Sequence, residues 1–411
     1  MRFKTTVGDV RNTLSAFKRW DGLLIRIEAK DGKTVWTMTR PAVGTLRVTQ
    51  SADVESAGET ALFIDSISGI LSILPTARRC ASMGVVFESE DSARSMKVQC
   101  GDGKNISVAT VDPNEDSTLQ RDVEFSGEPT FRVSMSYTDF RKIMDRSALI
   151  TDTNADLWIK RCVLFRSKNE GSIEILATNG GNMTVQNIHA EMETWKPFVW
   201  FIYGEILRRL VPILGISDSD TVEIVFTGSK EEVIVKSGFV EAVVSYEPEG
   251  KEKFITCKPF DGVLDKLKKT PYRIKVVVAF DDLLDLFNTM VIGDPRFDFS
   301  DELRFFKDRI VVKAEKNDPS IQVNIDAVIP VDAEKSDFVE RVPSSCPDSD
   351  KMEEDCYGVV GFSQPDVVRL LRMIQETELI EIEVREDQGP VIIRPYQDET
   401  IYFVTMPLSK I

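Results

Sequence analysis

Followed along its alternation of apolar and polar residues, the chain shows one unit three times. MRFKTTVGDVRNTL (1–14), FRVSMSYTDFRKIM (131–144) and IKVVVAFDDLLDLF (274–287) each alternate as a short strand does. Each then changes to helical spacing at an acidic residue: Asp9, Asp139 or Asp282. Ser136 with Asp139, and Ser363 with Asp366, read as approximate capping boxes at two helix starts. A hairpin follows in each unit, over 23–41 with Asp31-Gly32 as its turn, then 162–180, then 302–317. A second helix is predicted over 63–75, 201–212 and 361–374, and each unit closes with an antiparallel meander. The predicted fold class is therefore α+β, with three repeated domains at 1–126, 127–265 and 266–411, each with two helices packed on antiparallel sheets. Residues 341–357 form an acidic insertion peculiar to the third, with Cys346 and Cys356 read as incidental loop thiols.

The helix faces show where cations point. Tyr137, Phe140, Ile143 and Met144 share one side, which leaves Lys142 and Arg146 roughly opposite. Val367, Leu370, Leu371 and Ile374 do the same for Arg369 and Arg372. Arg11, Lys18 and Arg19 on the first helix and Arg208 on the fourth behave likewise. The segment 280–291 dissents, carrying Asp281, Asp282 and Asp285 and no base.

Composition sharpens this picture. Against 51 Lys and Arg stand 67 Asp and Glu, a net charge of −16, which argues against a broad basic face gripping nucleic acid. There is one histidine, His189, no C-x-x-C pair, no P-loop lysine and no G-x-G-x-x-G, so neither metal site nor cofactor is expected. The best enzymatic candidates are Asp281, Asp282 and Asp285, or Glu386 with Asp387. No histidine accompanies them, and acids at a helix N-terminus have a simpler electrostatic reason. No enzyme is expected. The longest apolar stretches, Phe198 to Tyr203 and Leu210 to Ile216, fall far short of the ~20 residues that span a bilayer, so no membrane partner is expected. Residues 1–14 contain no apolar leader, and a cytoplasmic location follows as an expectation.

Two local motifs join the triple repeat. Leu176-Ala177-Thr178-Asn179-Gly180-Gly181-Asn182-Met183 resembles the strand end A-T-D-G-H-R-L of the bacterial-type DNA sliding clamps, the beta subunits of the replicative DNA polymerase III holoenzyme. The end Val404-Thr405-Met406-Pro407-Leu408-Ser409-Lys410-Ile411 is similar to that family's V-M-P-M-R-L. The chain thus resembles a divergent clamp over essentially its whole length.

The resemblance implies a head-to-tail homodimer closing a ring around double-stranded DNA, mounted by a clamp loader and tethering the replicative DNA polymerase. Arg11, Lys18, Arg19, Lys142, Arg146, Arg208, Arg369 and Arg372 would face the DNA. Thr178, Gly180 and Met183 would form one wall of a partner-peptide pocket, and Val404, Met406, Pro407 and Leu408 the other. Ile106 and Val108 on a domain-one edge strand would meet the region of Met290 and Ile292 of a second copy. The sequence departs from the family at Gly181-Asn182, where it has His-Arg, at Lys160, where it has leucine, and at Thr256-Cys257-Lys258-Pro259, where it has R-V-L-P. A non-catalytic repeat scaffold that binds only proteins and never encircles DNA is the alternative.

Overall fold

The computed structural model describes residues 1–40, 43–90, 94–112, 129–152, 154–169, 171–189, 191–192, 197–217, 219–227, 232–245, 257–290, 300–318, 321–342, 355–374, 377–385 and 389–405. The first repeat runs β1 (Arg2–Thr6), α1 (Val7–Trp20), β2 (Leu24–Lys30), β3 (Lys33–Arg40), β4 (Gly44–Ser51), β5 (Asp53–Ser56) and β6 (Gly58–Phe63). It ends with α2 (Ser66–Ile73), β7 (Gly84–Glu90), β8 (Ser95–Cys100) and β9 (Asn105–Val111). The second has β10 (Pro129–Ser136), α3 (Tyr137–Ile150), α4 (Trp158–Arg161), β11 (Cys162–Asn169), β12 (Ser172–Thr178) and β13 (Asn182–His189). It continues through β14 (Glu191–Met192), β15 (Val199–Tyr203), α5 (Gly204–Leu214), β16 (Thr221–Thr227), β17 (Glu232–Ser237) and β18 (Val240–Ser245). After a connecting helix, α6 (Lys258–Lys269), the third begins with β19 (Ile274–Ala279), α7 (Phe280–Met290), β20 (Ser300–Phe305), β21 (Arg309–Asp318) and β22 (Ile321–Pro330). It closes with β23 (Asp337–Phe338), β24 (Gly358–Ser363), α8 (Gln364–Arg372), β25 (Leu379–Val384), β26 (Val391–Pro395) and β27 (Ile401–Thr405).

The order strand, helix, hairpin, helix, meander thus occurs three times, as the periodicity predicts. Local chemistry explains the boundaries. The Ser136 hydroxyl accepts from Asp139 N at 3.0 Å and donates to Asp139 Oδ2 at 2.6 Å. Thr6 and Asp9 make the same reciprocal pair at 3.2 and 2.7 Å, a capping box that the sequence reading passes over. Ser363 and Asp366 lie among residues whose side chains are not described. Asp31 and Gly32, with φ of 52° and 73°, give the two left-handed positions of a tight hairpin turn.

The sheets run through the repeats without a break. β18 pairs antiparallel with β4, from Val240↔Val48 to Val244↔Gly44, and so welds the second repeat to the first. β27 pairs with β13, from Asn182↔Thr405 to Gln186↔Ile401, and welds the third to the second. In each case the last strand of one repeat completes the edge of the third hairpin strand of the repeat before it. Helices cover one side of these sheets, over a continuous core that includes Phe17, Trp36, Phe87, Phe165, Leu210, Phe287, Leu371 and Phe403.

Two findings revise the sequence reading. The expected boundary at 265/266 falls within an amphipathic helix, α6, which buries Phe260, Leu264 and Leu267 where no element was expected. Cys356 is not an incidental loop thiol: it is buried against Phe306 and Val359, and its Sγ donates to Gly358 O at 3.4 Å. Cys346 lies outside the described residues.

Candidate functional site

The strand-end motif forms a turn closed on its own side chains. Asn179 Oδ1 accepts from Gly181 N at 3.0 Å and from Asn182 N at 2.7 Å. Thr178 Oγ1 accepts from Gly180 N at 3.0 Å and donates to Asn182 O at 2.8 Å. Gly180 has φ +96°, and a Cβ there would stand 2.6 Å from Lys160 Cε, so the Lys160 stem lies directly over it. Lys160 is therefore a packing partner of the motif.

From this turn β13 carries residues alternately to the two faces of the seam. Met183 and Val404, direct cross-strand partners, are 4% and 2% exposed. They pack in one cluster with Leu164, Leu176, Val185, Ile392 and the α6 residues Phe260, Leu264 and Leu267. The outward face of this seam is thus apolar and roofed by α6. Ion pairs hold the roof down: Arg166 bridges Asp261 of α6 at 2.6 Å and the buried Glu174 at 2.5 Å. Burial opposes the Arg166 charge, but hydrogen bonds and attraction from Asp261 and Glu174 outweigh it and raise its pKa. At the other end Arg385 donates to the carbonyls of Leu267 and Thr270, the C-terminus of α6, and pairs with Glu383 at 2.7 Å. Burial pushes the Cys162 thiol up to about 12, and burial with the Glu174 charge pushes the Tyr402 phenol up to about 12. Both are neutral packing groups.

Of the expected pocket residues, Thr178, Gly180, Met183 and Val404 come together here, while Met406, Pro407 and Leu408 lie outside the described residues. On the opposite, helix side of the same seam a cleft of about 620 Å³ opens beside the motif turn. Asn179, Gly181, Asn182, the α3 end from Leu149 to Asp152, Arg208 and Arg369 line it.

The expected DNA-facing cations do more than point outward. Arg11 Nη1 donates to Leu74 O at 3.0 Å, at the end of α2. Arg19 Nη1 donates to Pro212 O of α5 at 3.2 Å, and Arg209 Nη1 returns a bond to Arg19 O at 3.3 Å across the first seam. Arg146 Nε donates to Met373 O, beyond α8, at 2.8 Å across the second. Arg208 Nη2 donates to the carbonyls of Ala148 and Thr151 at the end of α3. Helix C-termini leave carbonyls unpaired and carry partial negative charge, so a guanidinium there satisfies both. Reading these four as plain solvent-facing charges is incomplete, because each caps a helix. Arg372 Nη2 donates to Asn288 Oδ1 at 3.2 Å; Lys18 and Arg369 are exposed, and Lys142 is half-buried. Asp281 and Asp282 stand in the first turn of α7. Among the described residues no group of three His, Cys, Asp or Glu is placed to hold a metal ion.

The strand expected at an edge, β9, pairs with β8 on one side and meets β6 on the other through Ala61↔Val111 and Leu62↔Thr110 alone. Val108 is buried and Ile106 half-buried, with Ile106 Cδ1 over Gly69 of α2. The Met290 side chain and Ile292 lie outside the described residues. In the third repeat β22 ends its four-stranded sheet, with Val328 62% exposed.

No family model matches the chain, and no curated protein matches it. Solved structures do, over their full length. The beta subunit of the DNA polymerase of Streptococcus pyogenes superposes with a TM-score of 0.77 at 15% identity, covering 100% of both chains. The DNA polymerase III beta subunit of Thermotoga maritima gives 0.75 at 13% identity, again over 100% of both. A sliding clamp from Pseudomonas aeruginosa, bound to griselimycin, gives 0.75 at 14% identity and 99% of both. The chain has the fold of the bacterial sliding clamps. Among the described residues no helix is long and apolar enough to cross a membrane.

Proposed function

We propose that this protein is a DNA polymerase processivity factor: two copies close a ring that encircles duplex DNA, slides on it and tethers a replicative polymerase. The observation that carries the reading is the rule of the seams. β18 fills the edge of β4, and β27 fills the edge of β13. By the same rule β9, which meets β6 through two residue pairs alone, fills the edge of β22, which ends its sheet. They belong to the first and third repeats and do not pair with each other within the chain, so a second copy joins them, and two copies close the ring.

Binding by topology removes the conflict with a net charge of −16. A ring needs no grip on phosphates, and an acidic outer surface keeps DNA from adhering there. Lys18, Lys142, Arg369 and Arg372 supply screened, sliding contacts, joined by the outer edges of the capping arginines. The partner peptide enters the apolar outward face of the second seam, beside α6 and the motif turn, with Met406, Pro407 and Leu408 as the second wall. A clamp loader opens the seam between copies. No step of this role requires catalysis.

The test is retention on nicked circular DNA against the same DNA linearised, after loading. Retention on circles and loss from linear ends is the expected result; equal loss from both makes the protein the scaffold of the alternative reading. Light scattering at micromolar concentration gives a dimer. Val328→Pro, which removes an N–H from the open edge of β22 and leaves the ladder to β21 intact, gives a monomer.

A further inference from the structure

The apolar outward face of the second seam is already occupied. α6 lays Phe260, Leu264 and Leu267 onto it, at i, i+4 and i+7, and none of the three is more than 5% exposed. That is the spacing with which an amphipathic helix enters an apolar groove. Met183 and Val404 lie beneath it at 4% and 2% exposure, so they present almost no surface to a second peptide while α6 stays down. The helix is fastened unevenly. Arg385 holds its C-terminus through the carbonyls of Leu267 and Thr270. Its N-terminal half is tied by Asp261 to Arg166, and the Asp261 side chain is 44% exposed, where water and salt screen the pair. Cys257 gives the first turn no side-chain cap. Gly262 faces open space, with nothing within 4 Å of where a Cβ would stand, so no contact calls for glycine there. Its effect is to weaken the helix.

We propose that α6 is a built-in ligand of the partner groove, one that lifts from its N-terminal end about Thr270 and gives way to a helical segment of a partner protein, a reading that rests on the partner site proposed above. α6 shows what the groove accepts. The partner segment carries an aromatic anchor in the place of Phe260, an acidic residue directly after it to meet Arg166, and leucines four and seven positions beyond the anchor. Lifting does not orphan the guanidinium, because Arg166 keeps the buried Glu174 at 2.5 Å. Partner affinity is then set by competition inside the chain: what loosens α6 tightens the partner, and what steadies α6 weakens it.

The experiment uses the full chain free of DNA and two substitutions that push α6 in opposite directions. Asp261→Asn cuts the tie to Arg166, and Gly262→Ala steadies the helix without meeting a neighbour. Hydrogen exchange should show the amides of 260–269 opening locally, at least about tenfold faster than those of β13 beneath them. Asp261→Asn should speed that opening about two- to fivefold, and Gly262→Ala should slow it about two- to fivefold. A fluorescein-labelled peptide of residues 257–270, itself carrying Gly262→Ala, should bind Asp261→Asn protein tightest and Gly262→Ala protein weakest. Phe260→Ser with Leu264→Ser in that peptide should weaken it at least about tenfold. Both protein substitutions are at solvent-facing positions, and Gly262→Ala raises helix stability, so a folding defect in one leaves the other to decide. Exchange of α6 at the rate of β13 means that it leaves only with the whole fold, and overturns the proposal. Equal peptide affinity for all three proteins also overturns it, while leaving the partner site in place. Local opening of α6 with no peptide bound to any of them removes the partner site as well.

Discussion

The two seams inside the chain share a topology and differ in what lies outside them. At the first, β4 meets β18 and the outward face is largely polar: Arg47 pairs with Glu241 at 3.4 Å, Lys236 with the same carboxylate at 2.8 Å, and Thr39 with Thr45 at 3.0 Å. At the second, β13 meets β27 and the outward face is Met183, Val185, Ile392 and Val404 beneath α6. The close approach of strands is also solved differently. Gly44 at the first seam has φ +143°, and a Cβ there would stand 1.9 Å from Val243 O; at the second seam Asn182 begins the equivalent pairing. The first seam is a closed joint, needing only backbone complementarity. The second carries an apolar, helix-roofed face outward and a polar cleft on the helix side.

The comparison can be broken in graded ways. The largest effect is expected at the roof of the second seam. Arg166→Met leaves Glu174, 5% exposed, without its guanidinium and unties α6. Losing one member of a buried pair costs roughly 3–5 kcal/mol, read as a fall in the urea midpoint and as new protease cleavage within 258–269. Gly44→Ala should come next, at about 2–4 kcal/mol from backbone strain and overpacking. Asn182→Ala at the matching site should cost far less, since it deletes an acceptor that has no partner. Comparable losses for the two would deny the difference between the joints.

Alkaline pH probes the second seam. Cys162 and Tyr402 are raised by burial from 9.0 and 10.0 to about 12. Each is neutral in the fold while the unfolded chain ionises at the lower value. Their contribution is complete below pH 9 and is lost as pH rises toward 12. Denaturant midpoints should decline over that window, and Cys162→Ala with Tyr402→Phe should flatten the decline. Arg146→Met, which uncaps the carbonyl of Met373, should cost about 1 kcal/mol. The smallest effect belongs to Arg47→Ala at the first seam, roughly 0.2–1 kcal/mol for a partly exposed ion pair.

The repeats were legible because each element carries its own period: strand alternation into Asp9, Asp139 and Asp282, and an Asp-Gly turn between two strands. The motif turn was legible for the same reason, as its bonds span at most four residues. The capping arginines were not. Arg146 and Met373 lie 227 residues apart, and no local pattern tells a guanidinium that faces solvent from one that meets a distant carbonyl. The helix α6 was hidden differently. Phe260, Leu264 and Leu267 have helical spacing, but Pro259, Gly262 and the lysine-rich end gave the segment the composition of a linker. The unpaired oxygen of Asn182 is visible only once β27 and α3 are in place.

The seams also set a clock for synthesis. β4 leaves the ribosome long before its partner β18, and β13 long before β27. With roughly 190 and 220 residues still to be added at ~5–20 residues per second, each edge stays open for roughly ten to forty seconds. An open edge invites the wrong strand. What these edges show in the interval is Thr45 and Arg47 on one, and Asn182, Thr184 and Gln186 on the other, a polar residue at every second position. Thr184 and Gln186 end up buried, each with an oxygen unbonded. A small loss in the finished core is the trace of a chain that has to wait for its own far end.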